Sequence, residues 1–288
     1  MATGAEQAAL TANHRQLLPS MRALLLVATV LVLLAGAVLT LAPTGTDTWF
    51  AWTIDVPQTA AFLGAGYLAS AVVEATSARA HWWVHARVAV PSVFTFTALT
   101  LVVTLVHLQK FHLGPDQRPL PRGIAWLWLT IYAVVPVTMA VLWWRQQREP
   151  GTDPPRTRPL PGLLRVPTGV VAAALLGLGV ALLVAPVAAG AALWPWDLTP
   201  LTGRAIGAWL VGLGVAGVSV VLEADALRAR PVAAGGLALA VLAGVGLLRF
   251  PADVAWGTPQ AAGLVLALVT WAGLSAAIIT VGRRPADR

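Results

Sequence analysis

The chain has 288 residues, of which 58% are hydrophobic and only 11% are charged, and its net charge is +7. An ordinary soluble domain has roughly 45–50% apolar residues and about 25% charged residues. This composition argues against a soluble enzyme, and the absence of Cys excludes disulfides, thiolate metal sites and cysteine nucleophiles. We therefore expect an all-α transmembrane protein.

Eight apolar stretches, each bounded by Pro, Gly or a charged residue, are long enough to be predicted as membrane-spanning helices. The first contains neither charge nor Pro from Ala23 to Leu41, and it is too long for the apolar part of a signal peptide. Pro136 lies within the fourth stretch and predicts a kink there. The predicted spans are residues 23–42, 58–76, 88–108, 124–144, 169–189, 205–223, 232–248 and 261–281.

The distribution of basic residues predicts the orientation. Eight crossings place both termini on one side, and 14 of the 19 Lys and Arg residues lie in the termini and even-numbered loops. The positive-inside rule therefore predicts that both termini are cytoplasmic. Seven acidic residues lie on that side and five on the other, so the whole net charge of +7 is cytoplasmic. We expect it to attract anionic inner-leaflet lipids of the bilayer, and we expect no nucleic acid.

A Pro- and Arg-rich segment divides the predicted spans into two groups of four. Its composition is typical of a polar, extended linker on the cytoplasmic side. The predicted organisation is an N-terminal cytoplasmic tail, a first four-span unit, the linker, a second four-span unit and a C-terminal cytoplasmic tail. These parts cover residues 1–22, 23–144, 145–167, 168–281 and 282–288, respectively.

Sequence matches between the two units predict an internal duplication. The pattern Ser-x-Val-x-Glu-Ala-x-x-x-Arg-Ala occurs at 70–80 and again at 219–229, an offset of 149. Upstream matches, including Pro57 with Pro200, have an offset of 143, and the match at 110–111 with 249–250 has an offset of 139. Because each unit has an even number of spans, the predicted fold is an eight-helix bundle of two parallel four-helix repeats. The alternative is chance similarity in a chain rich in Ala, Val and Leu.

The segment from Leu193 to Trp209, LWPWDLTPLTGRAIGAW, resembles segments of uncharacterised multi-pass integral membrane proteins of high-GC bacteria. The strong excess of Arg over Lys is similar in bias. The resemblance covers mainly this hairpin; it implies a bacterial plasma-membrane protein and no particular activity.

Two acidic residues within predicted spans, Glu74 and Glu223, form the candidate intramembrane polar site, because ionisable groups are costly in lipid. Each follows a Ser by four residues, which places the hydroxyl on the same helix face. They are interpreted either as a pair of proton- or cation-responsive sites or as helix-end carboxylates that pair with Arg. Their positions near the span ends favour the second interpretation. The serines are Ser70 and Ser219, and the candidate charge partners are Arg79 and Arg228.

Aromatic and histidine residues suggest interfacial roles. The Trp residues of two loops are predicted to form an outer aromatic rim, which faces lipid or sugar rings or anchors the protein in the membrane. His81 and His85, four residues apart, could bind a metal, but an interfacial basic and aromatic belt explains them better. We expect no metal, no haem and no other cofactor. The predicted rim consists of Trp49, Trp52, Trp194 and Trp196.

The sequence leaves three functions open. No catalytic constellation is evident, which favours non-catalytic transport, binding or scaffolding in the plasma membrane. A membrane-embedded enzyme for a lipid-linked substrate at the outer face is the alternative, and it requires that the outer carboxylates converge in one cavity. An accessory subunit is the third option, because small residues such as Gly203 and Gly207 permit packing in the bundle, in a homodimer or against a membrane-complex partner. The enzyme would use Asp47, Asp55, Asp197 and Asp253 with Arg204 and Arg249.

Overall fold

The computed structural model describes residues 13–283, and this part of the chain forms α-helices and short 3₁₀ turns without a β-strand. The predicted tails therefore lie mostly outside the described residues. The eight long helices are α1 Pro19–Leu41, α2 Pro57–Ala78, α3 Val90–Val106, α4 Pro119–Arg148, α5 Gly162–Val184, α6 Pro200–Glu223, α7 Ala226–Arg249 and α8 Pro259–Arg283. Shorter helical segments cover Thr46–Trp49, Trp83–Ala86, Leu108–Lys110, Pro186–Leu193 and Pro251–Asp253.

Seven of the long helices are long and apolar enough to cross a membrane. Only α3, with 17 residues, is shorter than the other seven. The expectation of an all-α, multi-pass membrane fold is confirmed at this level.

Helix starts explain where the predicted spans were too short. Pro stands at the first or second position of α1, α2, α3, α4 and α6, where its missing N–H is not needed. A capping box between Thr199 and Thr202 starts α6, and the Asp225 carboxylate accepts hydrogen bonds from the first N–H groups of α7. The spans predicted from 205 and 232 therefore begin earlier, at Pro200 and Ala226. Arg204 and Arg228 lower the mean hydropathy at these helix starts, so the hydropathy pattern did not include them in the predicted spans.

The predicted linker and fifth span also need correction. Helix α4 continues to Arg148 and α5 begins at Gly162, so only residues 149–161 are extended between them. The stretch predicted as one span over 169–189 is broken, because α5 ends at Val184 and a separate short helix begins at Pro186. Pro cannot donate the backbone hydrogen bond that would continue α5.

The helices form a bundle in which α2, α6 and α7 are the most buried of the seven candidate spans. In one set of contacts α1 packs on α2, α2 on α7, and α7 on α8. In the other set α5 packs on α6, α6 on α3, and α3 on α4. Smaller contact regions join α1 to α4 and α5 to α8, so the eight helices form a closed ring of neighbours.

The connections gather at two ends of the bundle. At the arginine-rich end (residues 13–18, 79–89, 149–161 and 224–225), backbone hydrogen bonds join the segment before α1 to the loop after α2, and the segment before α5 to the residues after α6. Leu17 N donates to His81 O and Trp83 N to Arg15 O, and residues 158–160 bond residues 224–226 in the same pattern. At the tryptophan-rich end (residues 42–56, 107–118, 185–199 and 250–258), His112 N donates to Ala51 O.

Glycines bring the backbones of paired helices together. A Cβ atom at Gly179 of α5 would lie 2.8 Å from the backbone N of Val211, and one at Gly207 of α6 would lie 2.8 Å from the Gly179 carbonyl oxygen. Gly36 of α1 faces Leu68 of α2 in a similar contact. The small-residue faces expected from the sequence therefore serve packing within the bundle here.

This contact gives a stability prediction for α5. Gly179→Ala will lower the free energy of unfolding by about 1–3 kcal/mol, because the added methyl group forces two backbones apart. Gly177→Ala is the matched control on the same helix, since a Cβ atom there meets nothing within 4 Å. The control will be neutral or stabilising by up to about 1 kcal/mol, because Ala is the better helix former. Thermal unfolding in detergent measures both, and equal losses would contradict the backbone contact as the cause.

Candidate functional site

Glu223, the last residue of α6, belongs to an ion-pair cluster at the arginine-rich end. Its carboxylate accepts hydrogen bonds from Arg87 Nε at 2.7 Å and from Arg228 Nη1 at 2.8 Å, and Arg87 also contacts Asp153 at 2.6 Å. The predicted pairing of Glu223 with Arg228 is confirmed. Arg87 and Asp153 were not predicted, because no local spacing connects them to Glu223.

The same cluster holds the linker against the helix ends. Arg228 Nη2 donates to Pro154 O at 2.6 Å, and Arg156 Nε donates to the Glu223 carbonyl at 2.7 Å. Burial alone would lower the pKa of Arg87, but its hydrogen bonds to Glu223 and Asp153 raise it above the ordinary value. The cluster therefore ties the linker to the ends of α6 and α7, in agreement with the helix-end interpretation of Glu223.

Glu74 of α2 has a different environment. Its side chain is only 2% exposed, and Ser70 Oγ donates to Oε1 at 3.1 Å, which confirms the predicted Ser–Glu contact. Oε2 has no hydrogen-bond partner among residues 13–283. The predicted partner Arg79 is wrong, because its Nη1 instead bonds the Ala75 carbonyl. Arg79 lies beyond the last turn of α2 and points away from the bundle interior.

The two glutamates therefore do not form matching sites. Ser219 donates to the Val215 carbonyl and not to Glu223, whereas Ser70 donates to Glu74. The site predicted from Ser70, Glu74, Ser219 and Glu223 is not one constellation. Only the pair on α2 forms a polar site inside the bundle.

Further hydroxyl groups lie near Glu74 in the bundle interior. Tyr67, three residues before Ser70 on α2, shares a 2.8 Å hydrogen bond with Tyr132 of α4. Thr100 of α3 is buried, and its hydroxyl has no partner in the described part of the chain. These hydroxyls were not predicted, because they come from three helices.

A polar cavity of about 940 Å³ opens at the tryptophan-rich end, and we call it the vestibule. It lies between loops of the first four helices and residues 199–201 at the start of α6. The ionisable residues that line the vestibule are Asp47, Asp55, His107, Lys110, His112, Asp116 and Arg118.

Three residues predicted for outer-face chemistry lie apart from the vestibule. Asp253 accepts a hydrogen bond from Gln58 N, and Arg204 and Arg249 donate to carbonyls at helix ends.

His112 links two loops beneath the vestibule. Its Nδ1 lies 3.1 Å from the Phe50 carbonyl, and its Nε2 lies 3.1 Å from Thr53 Oγ1. A carbonyl only accepts, so Nδ1 carries the proton and Thr53 donates to Nε2 when the ring is neutral. The Thr53 hydroxyl therefore lines the vestibule and donates its hydrogen bond to the His112 imidazole.

His107 is joined to the second half of the chain. Arg204 Nη1 donates to its Nε2 at 2.9 Å, while Arg204 Nε donates to Leu183 O at 3.0 Å. Burial, followed by the positive charges of Arg204 and Lys110, lowers the pKa of His107 below its ordinary value. The neutral ring is the form that can accept the Arg204 hydrogen bond.

The predicted outer aromatic rim is wrong for three of its four residues. Trp49 is 50% exposed, but Trp52, Trp194 and Trp196 are 3%, 6% and 5% exposed. Trp52 packs edge-on against Trp128, and Trp196 Nε1 donates to Thr59 Oγ1 at 2.8 Å. The loops fold back over the helix ends, so these rings fill the core instead of facing lipid.

A second cavity, of about 560 Å³, is apolar and lies between α5 and α8. Leu175, Leu264 and Trp271 are among its lining residues. Its volume is in the range of small-molecule sites, but almost no polar group faces it. No group of three or more His, Asp or Glu residues that could hold a metal occurs within residues 13–283.

Comparison of the chain with protein-family models, with curated proteins and with solved structures finds no match.

The ion-pair cluster gives a second prediction. Glu223→Gln will lower the free energy of unfolding by about 3 kcal/mol, because it leaves the buried Arg228 guanidinium without its counter-charge. Asp47→Asn is the matched control, since the Asp47–Arg118 pair is more than half exposed on both sides. Exposed pairs contribute about 0–1 kcal/mol, so the control will change little. Thermal unfolding in detergent compares the two, and a control loss as large as that of Glu223→Gln would refute the distinction.

Proposed function

We propose that the chain is a plasma-membrane protein with eight spans and two parallel four-helix units, which binds a zwitterionic solute or lipid headgroup at its outer face. The observation that carries this proposal is the vestibule, because both units line it and it holds charges of both signs. The function is binding or transport, without catalysis.

Repeated contacts support the two-unit architecture. Exchanging each helix with its equivalent in the other unit (α1 with α5, α2 with α6, α3 with α7, α4 with α8) converts the contacts α1–α2, α2–α7 and α7–α8 into α5–α6, α6–α3 and α3–α4. The backbone bonds at 15–17 and 81–83 recur at 158–160 and 224–226, an offset of 143. The glycine contact of residues 36 and 68 recurs at 179 and 211 with the same offset. Such agreement favours a parallel duplication, with Pro57 and Pro200 as equivalent residues.

This register changes the correspondence of the two glutamates. With an offset of 143, Glu74 corresponds to Gly217 and Glu223 to Ala80. The match at an offset of 149 is then a coincidence of residues on different faces of the two helices. A polar site at Glu74 belongs to the first unit alone.

Charge and length support eight spans with both termini in the cytoplasm. Of the 19 Lys and Arg residues, 14 lie in the termini and even-numbered loops, on the side of the arginine-rich end, and the positive-inside rule assigns this side to the cytoplasm. The 17 residues of α3 rise about 25 Å, at the lower end of what a membrane crossing needs. The vestibule then faces the outside.

The charges of the vestibule favour a zwitterionic ligand. Asp47 and Arg118 neutralise each other at 2.7 Å, which leaves Asp55 and Asp116 beside Lys110. A ligand with one positive and one negative group can pair with both kinds of residue, whereas a simple ion meets repulsion from one of them.

The membrane-embedded enzyme is the second candidate, and the contact of Thr53 with His112 favours it. A hydroxyl that donates to an imidazole is the arrangement of an activated nucleophile. Asp47 and Asp55 do converge in the vestibule as the enzyme requires, but Asp253 is used to cap α2. Turnover that Thr53→Val abolishes while ligand binding persists would establish the enzyme.

The orientation can be tested with single cysteines, because the chain contains none. Gln117→Cys at the tryptophan-rich end and Thr157→Cys in the linker are both exposed positions. A membrane-impermeant maleimide will label the first in intact cells and the second only after lysis. Labelling of Thr157→Cys in intact cells would reverse the proposed topology.

Ligand binding can be tested by thermal stabilisation of the purified protein. Glycerophosphoethanolamine, a zwitterionic headgroup, will stabilise it by about 2.7 kcal/mol at a concentration of 100 times Kd, and anionic glycerophosphoglycerol will stabilise it less. Lys110→Gln will remove this stabilisation, because it deletes the one unpaired cation of the vestibule, and Asp116→Asn will reduce it, because it deletes one of two unpaired carboxylates. Asp197→Asn is the control, since this carboxylate does not line the described vestibule. Equal stabilisation of all variants, or none of the native protein, would contradict the proposed ligand.

A further inference from the structure

Glu74 and Asp225 are the most deeply buried acidic residues in the described structure, each 2% exposed, and neither is in a salt bridge. Three backbone N–H groups donate to Asp225, whereas the Glu74 carboxylate has no such donor among the described residues. A buried carboxylate without a counter-charge is strongly unfavourable, and the cost is usually avoided by pairing, as at Glu223. Glu74 has only the Ser70 hydroxyl on one oxygen and nothing on the other. In a lipid-embedded bundle, an ionisable group of this kind marks a functional site.

The basic groups near the end of α2 do not bond Glu74, and two of them, Arg79 and Arg230, line a pocket with Thr76. Arg22 of α1 donates to the carbonyls of Ala78 and Ala80, beyond the end of α2. Arg228 of α7 bonds Glu223 and the linker. His85, in the short helix beside α2, lies close to Arg228 and Asp225. The ionisable group facing Glu74 from α4 is the Tyr132 phenol.

Polar groups on one face of α2 lead from Glu74 into the bundle. Tyr67, Ser70, Glu74 and Ser77 are spaced at i, i+3, i+7 and i+10, so they share a helix face. Ser77 is fully buried. Tyr67 is about 15 Å from the start of α2, and Glu74 is about 6 Å from its end, at 1.5 Å per residue. The face thus carries polar groups from mid-helix to the arginine-rich end.

A small cavity adjoins this face and shares one lining residue, Leu201, with the vestibule. Its volume is about 10 Å³, close to what one water molecule needs. Tyr67 and the unpartnered Thr100 hydroxyl line it. A water here can bond to Thr100 and would lie beside Tyr67, which shares a hydrogen bond with Tyr132.

We propose that Glu74 is a proton-binding site inside the bundle, which exchanges protons with the vestibule through Thr100 and the Tyr67–Tyr132 pair. The proton binds to Glu74 Oε2, the oxygen that lacks a donor, and Ser70 holds Oε1. The proton arrives from water in the vestibule and returns to it, so no other reactant is needed. The site does not depend on a ligand in the vestibule.

Infrared spectroscopy of the full-length protein in lipid nanodiscs tests the site. The C=O stretching band of a protonated carboxyl group will appear and disappear as the pH is changed. This band will be lost in Glu74→Gln, shifted in Glu74→Asp and unchanged in Glu149→Gln, a carboxyl at the end of α4. A band that survives Glu74→Gln, or no such band in native protein whose fold circular dichroism verifies, would overturn the proposal.

The route is tested by the rate at which this band shifts after transfer into D₂O. Thr100→Val will slow the exchange about tenfold, equivalent to about 1.4 kcal/mol in the barrier, and Tyr67→Phe will slow it similarly. Thr97→Val is the matched control on α3, because the Thr97 hydroxyl bonds the Val93 and Phe94 carbonyls. Native exchange rates in Thr100→Val and Tyr67→Phe would overturn the route and leave the site standing. If Asp116→Asn reduces headgroup binding, the proton site at Glu74 and its exchange rate will be unchanged.

Discussion

The need to satisfy backbone polar groups inside lipid governs how this chain uses its few charged side chains. Only 11% of residues are charged, and many of them cap helix ends. Arg204 donates to Leu183 O at the end of α5, and Arg249 donates to Thr40 O near the end of α1. Asp253 and Asp225 accept from the first N–H groups of α2 and α7. Three of the charges that the sequence offers for catalysis, Asp253, Arg204 and Arg249, are therefore used at helix ends.

The same requirement separates the two glutamates. Glu223 lies at a helix end, where Arg87 and Arg228 bond its carboxylate and Arg156 of the linker donates to its backbone carbonyl. Glu74 lies one turn inside α2, and no basic side chain forms a salt bridge with it among the described residues. The sequence context of the two residues is nearly the same, so only the position within the bundle distinguishes them.

Helices were predictable from the sequence because span length and apolar composition are local properties. Contacts between distant segments were not predictable. Trp52 and Trp196 have the composition of interfacial residues, but the loops fold inwards and bury both rings. Arg87 reaches Glu223 across 136 residues, which no motif spacing reveals. The Ser70–Glu74 contact was predictable, because it lies within one helical turn.

The proposed duplication shows which features serve the fold and which serve the site. The close-packed glycines Gly36 and Gly64 correspond to Gly179 and Gly207, so the backbone contacts are the same in both units. The polar face of α2 from Tyr67 to Ser77 is not retained at the same offset. Tyr67 corresponds to Leu210 and Glu74 to Gly217.

A requirement of the fold would apply equally to both copies, because both pack their helices in the same way. The polar face of α2 is therefore not needed to hold four helices together, since α6 does so with apolar and small residues in its place. Its cost, a buried carboxyl without a counter-charge, falls on one unit only. This asymmetry is the strongest reason to assign Glu74 to function and the glycine contacts to stability.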